Sequence, residues 1–299
     1  MIDKLSFFEF IYDRHLIYHK KEVLKEPKPW TTDPIFQKFK SCNVYRELDR
    51  GSKYIIKKII NTDLNDTIKF LNIVAYRFFN LDQTFDGRVF NYILIPHNFN
   101  VESLVKELDE KSKVKPSIWN DAYLILPAIW NKELSNRKHV QVLYMLDWLA
   151  ERVHLFLEDF KSKQTPEEQI LKLREIPLVG PFIAGQIMLD LGYAKISKFG
   201  NNDWVTCGPG AYAGLEIIFK DIVNKNNAED LIKYLASIQS EIFEHLEEQE
   251  NKNWLEINYK NSYFNSDYLS FMDIQSCLCE FRKHYNLSNG KGKNRYFYG

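Results

Sequence analysis

The chain has 299 residues, of which 45% are hydrophobic and 15% aromatic, and its 40 basic residues balance 40 acidic ones. That length and apolar content support a substantial core and exclude a disordered chain, while zero net charge excludes nucleic-acid binding driven by overall charge, so any such site has to be local. No apolar run reaches the length of a membrane span, and the acids within "MIDKLSFFEF" are foreign to a signal peptide, so a soluble, cytoplasmic protein without membrane contact is expected.

In "LSFFEFIYDRHLIYHKKEVL" the apolar residues Phe7, Phe8, Ile11, Leu16, Ile17 and Leu24 recur at helical spacing and predict a long first helix. Pro27, Pro29 and Pro34 end it, and Thr32 or Asp33 can cap the next segment. Helices are predicted near 34–42, 44–61 and 65–80. "FDGRVFNYILIP", residues 85–96, reads mostly as helix, although its Val, Phe, Tyr and Ile would suit a short strand. Further helices are predicted at 100–112, 138–162, 166–174, 182–192, 209–224, 227–248 and 266–285. The one at 166 carries its own start signal in Thr165, Pro166 and Glu168. The expectation is an all-α protein of about ten helices. It reads as one helical domain over 1–299, or as two lobes with residues 175–215 in one, and with a basic aromatic tail at 282–299.

The four cysteines, Cys42, Cys207, Cys277 and Cys279, make no disulfide framework. Cys277-x-Cys279 lacks the two-residue gap of a zinc knuckle, so neither a metal nor a cofactor is expected, and the compartment is expected to be reducing. The tail gathers Arg282, Lys283, Lys291, Lys293 and Arg295 among Tyr285, Tyr296, Phe297 and Tyr298. That mixture suits phosphates and stacked bases, or else a solvated end.

Within "EIPLVGPFIAGQIMLDLGY", Gly180 sits in a turn between two apolar helical segments, and a glycine there implies a close backbone approach. Amides at the start of the second helix would seat a phosphate. The stretch resembles the helix-hairpin-helix DNA glycosylase superfamily: Ile176, Pro177, Val179 and Gly180 match the hairpin, and Ala184 and Ile187 match the packed face of its second helix. The resemblance puts Asp203 in the place of the catalytic aspartate, a few residues later than usual; otherwise Asp203 would be a cap for the helix after "CGPGA". Phe182 and Ile183 stand where bifunctional members carry lysine, so no lyase chemistry is implied.

A second resemblance covers most of the chain. "PWTTDPIFQKFKSCNVYRELDR" (29–50), "YRFFN" (76–80), "PLVGPFIAGQIMLDL", "GPGAYAGL" (208–215) and "SCLCEFRKHY" (276–285) together resemble the helical family shared by α-glutamyl/putrescinyl thymine pyrophosphorylases and 5-hydroxymethyluracil DNA kinases. The resemblance implies a glycosylase-type helical fold and a substrate of modified bases in double-stranded DNA; anti-phage glycosylases acting on glucosylated hydroxymethylcytosine are related to it. Protein partners are not legible.

Asn43, Arg46 and Arg50 are expected on one helical face with Asp49 beside it, where they would read a flipped base while Trp30 stacks on it. Arg77 and Asn80 end an apolar helix and are expected to line the same cavity; Gln186 and Asp190 would brace it or satisfy buried backbone. Glu280 and Lys283 join this set through the family motif. Leu178, Gly180, Pro181 and Phe182 in the bend, with Lys291, Lys293 and Arg295 in the tail, are the expected phosphate contacts.

The leading expectation for function is a monofunctional glycosylase of anti-phage defence. It would flip and excise a hydroxymethylated or glucosylated base from phage DNA, with Asp203 stabilising the oxocarbenium-like sugar. The alternatives are a transferase that replaces pyrophosphate on 5-pyrophosphomethyl-uracil with an amine, and a non-catalytic reader of modified DNA. The sequence contains no Gly-x4-Gly-Lys-Ser/Thr loop, and "NGKGKNR" lacks its Ser or Thr, so a helical domain standing alone is expected.

Overall fold

Short polar side chains set where the helices begin. Asp33 accepts from the amides of Ile35 (2.6 Å) and Phe36 (3.1 Å) just ahead of Pro34, Asn65 accepts from Ile68 (3.0 Å), and Ser270 from Asp273 (3.2 Å). Thr165 and Glu168 form the reciprocal capping box their spacing predicts, with backbone-to-side-chain distances of 3.2 and 3.1 Å. These elements come from a computed structural model that describes residues 3–85, 100–114, 117–120, 129–258 and 267–292. The predicted helix at 85–96 and the tail residues Lys293, Arg295, Tyr296, Phe297 and Tyr298 lie outside the described residues, except for Phe85 itself.

In chain order, α1 (Lys4–Tyr18) runs into a π-helical turn (His19–Val23) and is followed by α2 (Pro34–Lys38) and a 3₁₀ turn (Arg46–Leu48). Then come α3 (Arg50–Ile55) with its π-turn (Ile56–Ile60), α4 (Asp66–Phe79), α5 (Asp82–Phe85) and α6 (Val101–Val114). Next are α7 (Lys138–Ala150), α8 (Val153–Ser162), α9 (Pro166–Leu173) and α10 (Pro181–Tyr193). The chain ends with α11 (Pro209–Phe219), α12 (Ala228–Ser237), α13 (Gln239–Glu250), α14 (Trp254–Ile257) and α15 (Phe271–Ser288). The protein is all-α, with no β-strand among the described residues.

Two compact units divide this chain: residues 1–49 with 201–299, and residues 50–200. The first unit has an aromatic core. Phe243 stacks on Trp254 at 4.2 Å between centroids, Phe8 meets Phe243 edge-on at 5.3 Å, and Phe7 meets Phe281 at 5.4 Å. In the second unit α4 is the centre, buried from Phe70 to Phe79 and packed against α7, α8 and α10.

Several long periodic segments are broken where side chains capture backbone groups. The predicted helix at 138–162 is two helices because Arg152 turns back, donating to the Trp148 carbonyl at 2.7 Å and lying over its ring at 5.0 Å. The one predicted at 227–248 breaks at Ile238. There the Gln239 amide donates to the carbonyls of Ala236 (2.8 Å) and Leu269 (3.0 Å) and accepts from Leu269 N–H (2.9 Å). Residues 282–288 of the predicted tail complete α15 instead.

Helices α11 and α15 form the closest packing of the first unit, and it depends on two glycines. A Cβ on Gly214 would lie 2.4 Å from the Leu278 carbonyl oxygen, and one on Gly210 would lie 2.4 Å from Cys279 Sγ. The Leu278 contact is with backbone, so nothing can swing aside. Gly214→Ala should therefore cost about 3 kcal/mol by overpacking. Chemical denaturation checks this; an unfolding free energy equal to wild type would contradict the packing.

Candidate functional site

The polar residues singled out in the first unit come together around α15, but not on a helix face. Residues 40–45 are irregular and 46–48 make only a 3₁₀ turn, because the side chains of α15 take the hydrogen bonds a helix would have used. Glu280 Oε2 accepts from Ser41 Oγ and from Cys42 N–H, each at 3.2 Å. Asp273 Oδ1 accepts from Arg46 N–H at 2.9 Å while its other oxygen takes Ser270 N–H (3.1 Å) and Oγ–H (2.6 Å). The loop then ties itself: Asp49 accepts from Asn43 N–H at 2.9 Å and pairs with the Arg46 guanidinium, and the Asn43 amide donates to the Leu48 carbonyl at 2.8 Å.

The expected helical face of Asn43, Arg46 and Arg50 is therefore corrected. Arg50 opens α3 in the second unit and pairs with Asp82 at 2.6 Å. Asn43, Arg46, Asp49, Glu280 and Lys283 do assemble in the first unit. Arg14 completes them from α1, donating to Ser41 O (3.0 Å) and Asn43 Oδ1 (2.9 Å). Sequence reasoning missed Arg14, Ser41 and Asp273, since a lone arginine on an amphipathic helix and a residue at a helix start carry no motif of their own. Beside the Glu280–Lys283 pair (2.6 Å) opens a cavity of about 10 Å³ lined by Lys40, Ser41, His284 and Leu287. It is water-sized and too small for a base, whereas the Arg46 and Asp49 side chains of the same cluster are partly exposed.

Charge in this cluster is tuned by burial and partners. Burial works against the Glu280 carboxylate, yet Lys283 and the donors Cys42 and Ser41 outweigh it and hold its pKa below the usual value. Lys283 is raised, its burial more than offset by Glu280. Asp49 is raised, since burial dominates over Arg46, the Asn43 amide and Arg14. Asp273 is likewise raised by burial against its hydrogen bonds. The Cys42 thiol is pushed far up, first by the charge of Asp49 and then by burial, which makes it a poor nucleophile. Trp30, also in this unit, donates from Nε1 to the Glu26 carbonyl at 2.8 Å.

In the second unit Arg77 and Asp190 do not line an open cavity. They face each other from α4 and α10 as a bidentate pair, 2% and 0% exposed. Gln186 is buried on α10. Asn80 ends α4 in the left-handed conformation, and its carbonyl accepts from the Asn120 amide at 3.0 Å. Its side-chain Oδ1 is buried with no hydrogen-bond partner among the described residues, 3.1 Å from where a Cβ on Gly51 would lie.

The bend between α9 and α10 also departs from expectation. Its left-handed residue is Leu178 (φ 68°), whereas Gly180 is an extended N-cap, and a Cβ there would meet nothing within 4 Å. No close approach among the described residues requires that glycine. Pro181 follows as the first helical residue, and Phe182 is 56% exposed. Asp203 is exposed on the turn at 201–203, in the first unit, whereas the bend belongs to the second. It does not cap α11, whose N-cap is Gly208 without a side-chain bond. Lys291 is exposed just beyond α15.

Comparison with known proteins adds what geometry alone does not. Residues 4–294 match the family described as 5-hmdU DNA kinase, helical domain. A protein of Bacillus phage SP10 named 5-hmdU DNA kinase is 26% identical over 296 residues, which are 94% of this chain and 44% of that relative. The chain thus spans less than half the length of that relative. No solved structure matches. These findings overturn the excision reading. A kinase adds a group to its substrate, whereas a glycosylase removes a base, so the hydrolytic activity, the role of Asp203 in cleaving the glycosidic bond, and the anti-phage excision setting are withdrawn.

The lowered pKa of Glu280 yields a pH test. Because the folded value lies below the ordinary 4.5, the stabilisation from its ionised form is fully present above pH 4.5 and is lost as pH falls through the folded value. The stability gap between wild type and Glu280→Gln should therefore narrow on acidification below that point. Denaturation at a series of pH values checks it; a gap that is independent of pH would contradict the buried pair.

Proposed function

Because the chain belongs to the family of 5-hmdU DNA kinase helical domains, we propose that it recognises DNA in a transferase that modifies 5-hydroxymethyl-deoxyuridine and leaves the glycosidic bond intact. The observation that carries this reading is the match along almost the whole chain, residues 4–294. The hypermodification transferase considered from the sequence belongs to the same class of chemistry.

The first-unit cluster suits such a substrate. A hydroxymethyl group both donates and accepts a hydrogen bond, and the 41–49 loop presents a guanidinium and a carboxylate side by side in Arg46 and Asp49. Group transfer to that hydroxyl forms a new bond to its oxygen, releases its proton, and breaks the bond between the transferred group and its donor. Asp49, its pKa raised by burial, is a fitting acceptor for the proton, and Arg46 meets negative charge that develops on the arriving group. Glu280 and Lys283 act one step back, fixing the loop through Ser41 and Cys42. Contacts with the DNA backbone are assigned to the bend residues Leu178, Gly180, Pro181 and Phe182 and to Lys291, Lys293 and Arg295.

The test is binding to two duplexes that differ only in one central base, 5-hydroxymethyluracil or thymine. The protein should prefer the hydroxymethylated duplex by about tenfold, the order of one good polar pair. Arg46→Ala should erase the preference and leave the affinity for the thymine duplex nearly unchanged. Equal wild-type affinity for the two duplexes would overturn the reading.

A further inference from the structure

The segment from the end of α1 to the start of the 41–49 loop touches α15 through Asp33 and Lys40, but Lys21, Lys28 and Trp30 take no part in the cluster there. Over residues 19–40 it holds six lysines against three acids in a chain whose net charge is zero. One of the acids, Asp33, is committed inside the protein, where it caps α2 and meets His284 Nε2 at 2.8 Å. Another, Glu22, serves Lys21 and Lys25 at 3.2 and 3.6 Å. The surplus of positive charge is therefore carried outward, and Lys21, Lys25, Lys28, Lys38 and Lys40 are all exposed.

Within this segment the indole of Trp30 is anchored and surrounded by cations. Its Nε1 donates to the Glu26 carbonyl at 2.8 Å, which fixes the ring, and the ammoniums of Lys21 and Lys28 lie 5.6 and 5.3 Å from its centroid. A third lysine, Lys38, stands 5.4 Å from the ring of Phe39. The π-helical turn of His19–Val23 places Lys21 there, because one wider turn redirects the side chains at the end of α1. Scattered surface lysines would mark nothing, but an anchored flat ring with two ammoniums gathered on it matches a polymer of flat rings and negative charges.

We infer that this face, Trp30 with Lys21 and Lys28, contacts an unpaired DNA strand, the indole stacking on a base and the lysines meeting the adjacent phosphates. The inference rests on the reading above that the chain acts on DNA. Stacking needs the open face of a base, which a continuous duplex hides and a strand beside an everted nucleotide exposes. With no overall charge to draw DNA in, affinity for the backbone has to come from local faces such as this one. An acidic lipid surface shares part of this chemistry, since Val23 and Leu24 are 55% and 53% exposed beside the lysines. The anchored stack of ring and cations favours DNA.

The 299-residue chain is titrated with a labelled oligonucleotide containing an unpaired stretch, with the fully paired duplex, and with vesicles of phosphatidylserine and phosphatidylcholine. Trp30→Ala should weaken binding of the unpaired stretch about tenfold and spare the duplex, and Trp30→Phe should recover most of the loss. Lys21→Gln with Lys28→Gln should reduce the salt dependence of log K by about 1.4, two single-strand phosphate contacts. Wild-type binding that Trp30→Ala leaves unchanged overturns this surface alone. Vesicle binding that requires Trp30, with no DNA dependence on it, overturns it in favour of a membrane. Loss of all DNA binding in the wild type removes the functional reading along with it.

Discussion

Two helices approach closely only where side chains leave room, and the contact of α11 with α15 at Gly210 and Gly214 is the constraint on which the first unit depends. The carbonyl of Leu278 occupies the space a Cβ on Gly214 would need. Docked this way, α15 presents Asp273 and, two turns further on, Glu280 with Lys283 beside it. Those carboxylates take the amides of Arg46 and Cys42, so the 41–49 loop holds an irregular path with its own Arg46–Asp49 pair partly exposed. The chain of cause runs from two glycines, to a helix position, to a loop, to a guanidinium–carboxylate pair left partly exposed.

The second unit is built on a different economy. Arg77 and Asp190 are removed from water together, and their mutual attraction must offset the desolvation of both. Such a pair is weak evidence for stability. Its directional, bidentate bonding instead fixes how α4 sits against α10, and α10 carries the bend with Leu178 in a left-handed conformation that costs about 1 kcal/mol for a residue other than glycine. The exposed Phe182 and the open surroundings of Gly180 leave that bend accessible from outside.

Much of the local structure was legible in the residues themselves. The capping box at Thr165, the start of α2 at Asp33 and Pro34, and the all-α class follow from short-range chemistry that tertiary contacts did not alter. Where expectation failed, a distant partner had intervened. Residues 43–50 carry helical spacing, but Asp273 takes the Arg46 amide and Glu280 the Cys42 amide just ahead of them, each from more than two hundred positions away. Arg77 reads as a pocket cation until its partner 113 residues later is known. The motifs "GPGAYAGL" and "SCLCEFRKHY" could be seen separately, whereas their packing against each other could not. The hairpin and Asp203 are short local signals that point to excision, whereas the resemblance that spans most of the chain is the one the family match supports.

The most direct measurement is native-state hydrogen exchange at the amides of Cys42, Asn43 and Arg46, which donate to Glu280, Asp49 and Asp273. If α15 holds the 41–49 loop in place, all three are protected in the free protein, and Cys42 loses its protection in Glu280→Ala. Exchange of these amides at the rate of an unstructured peptide would contradict the account.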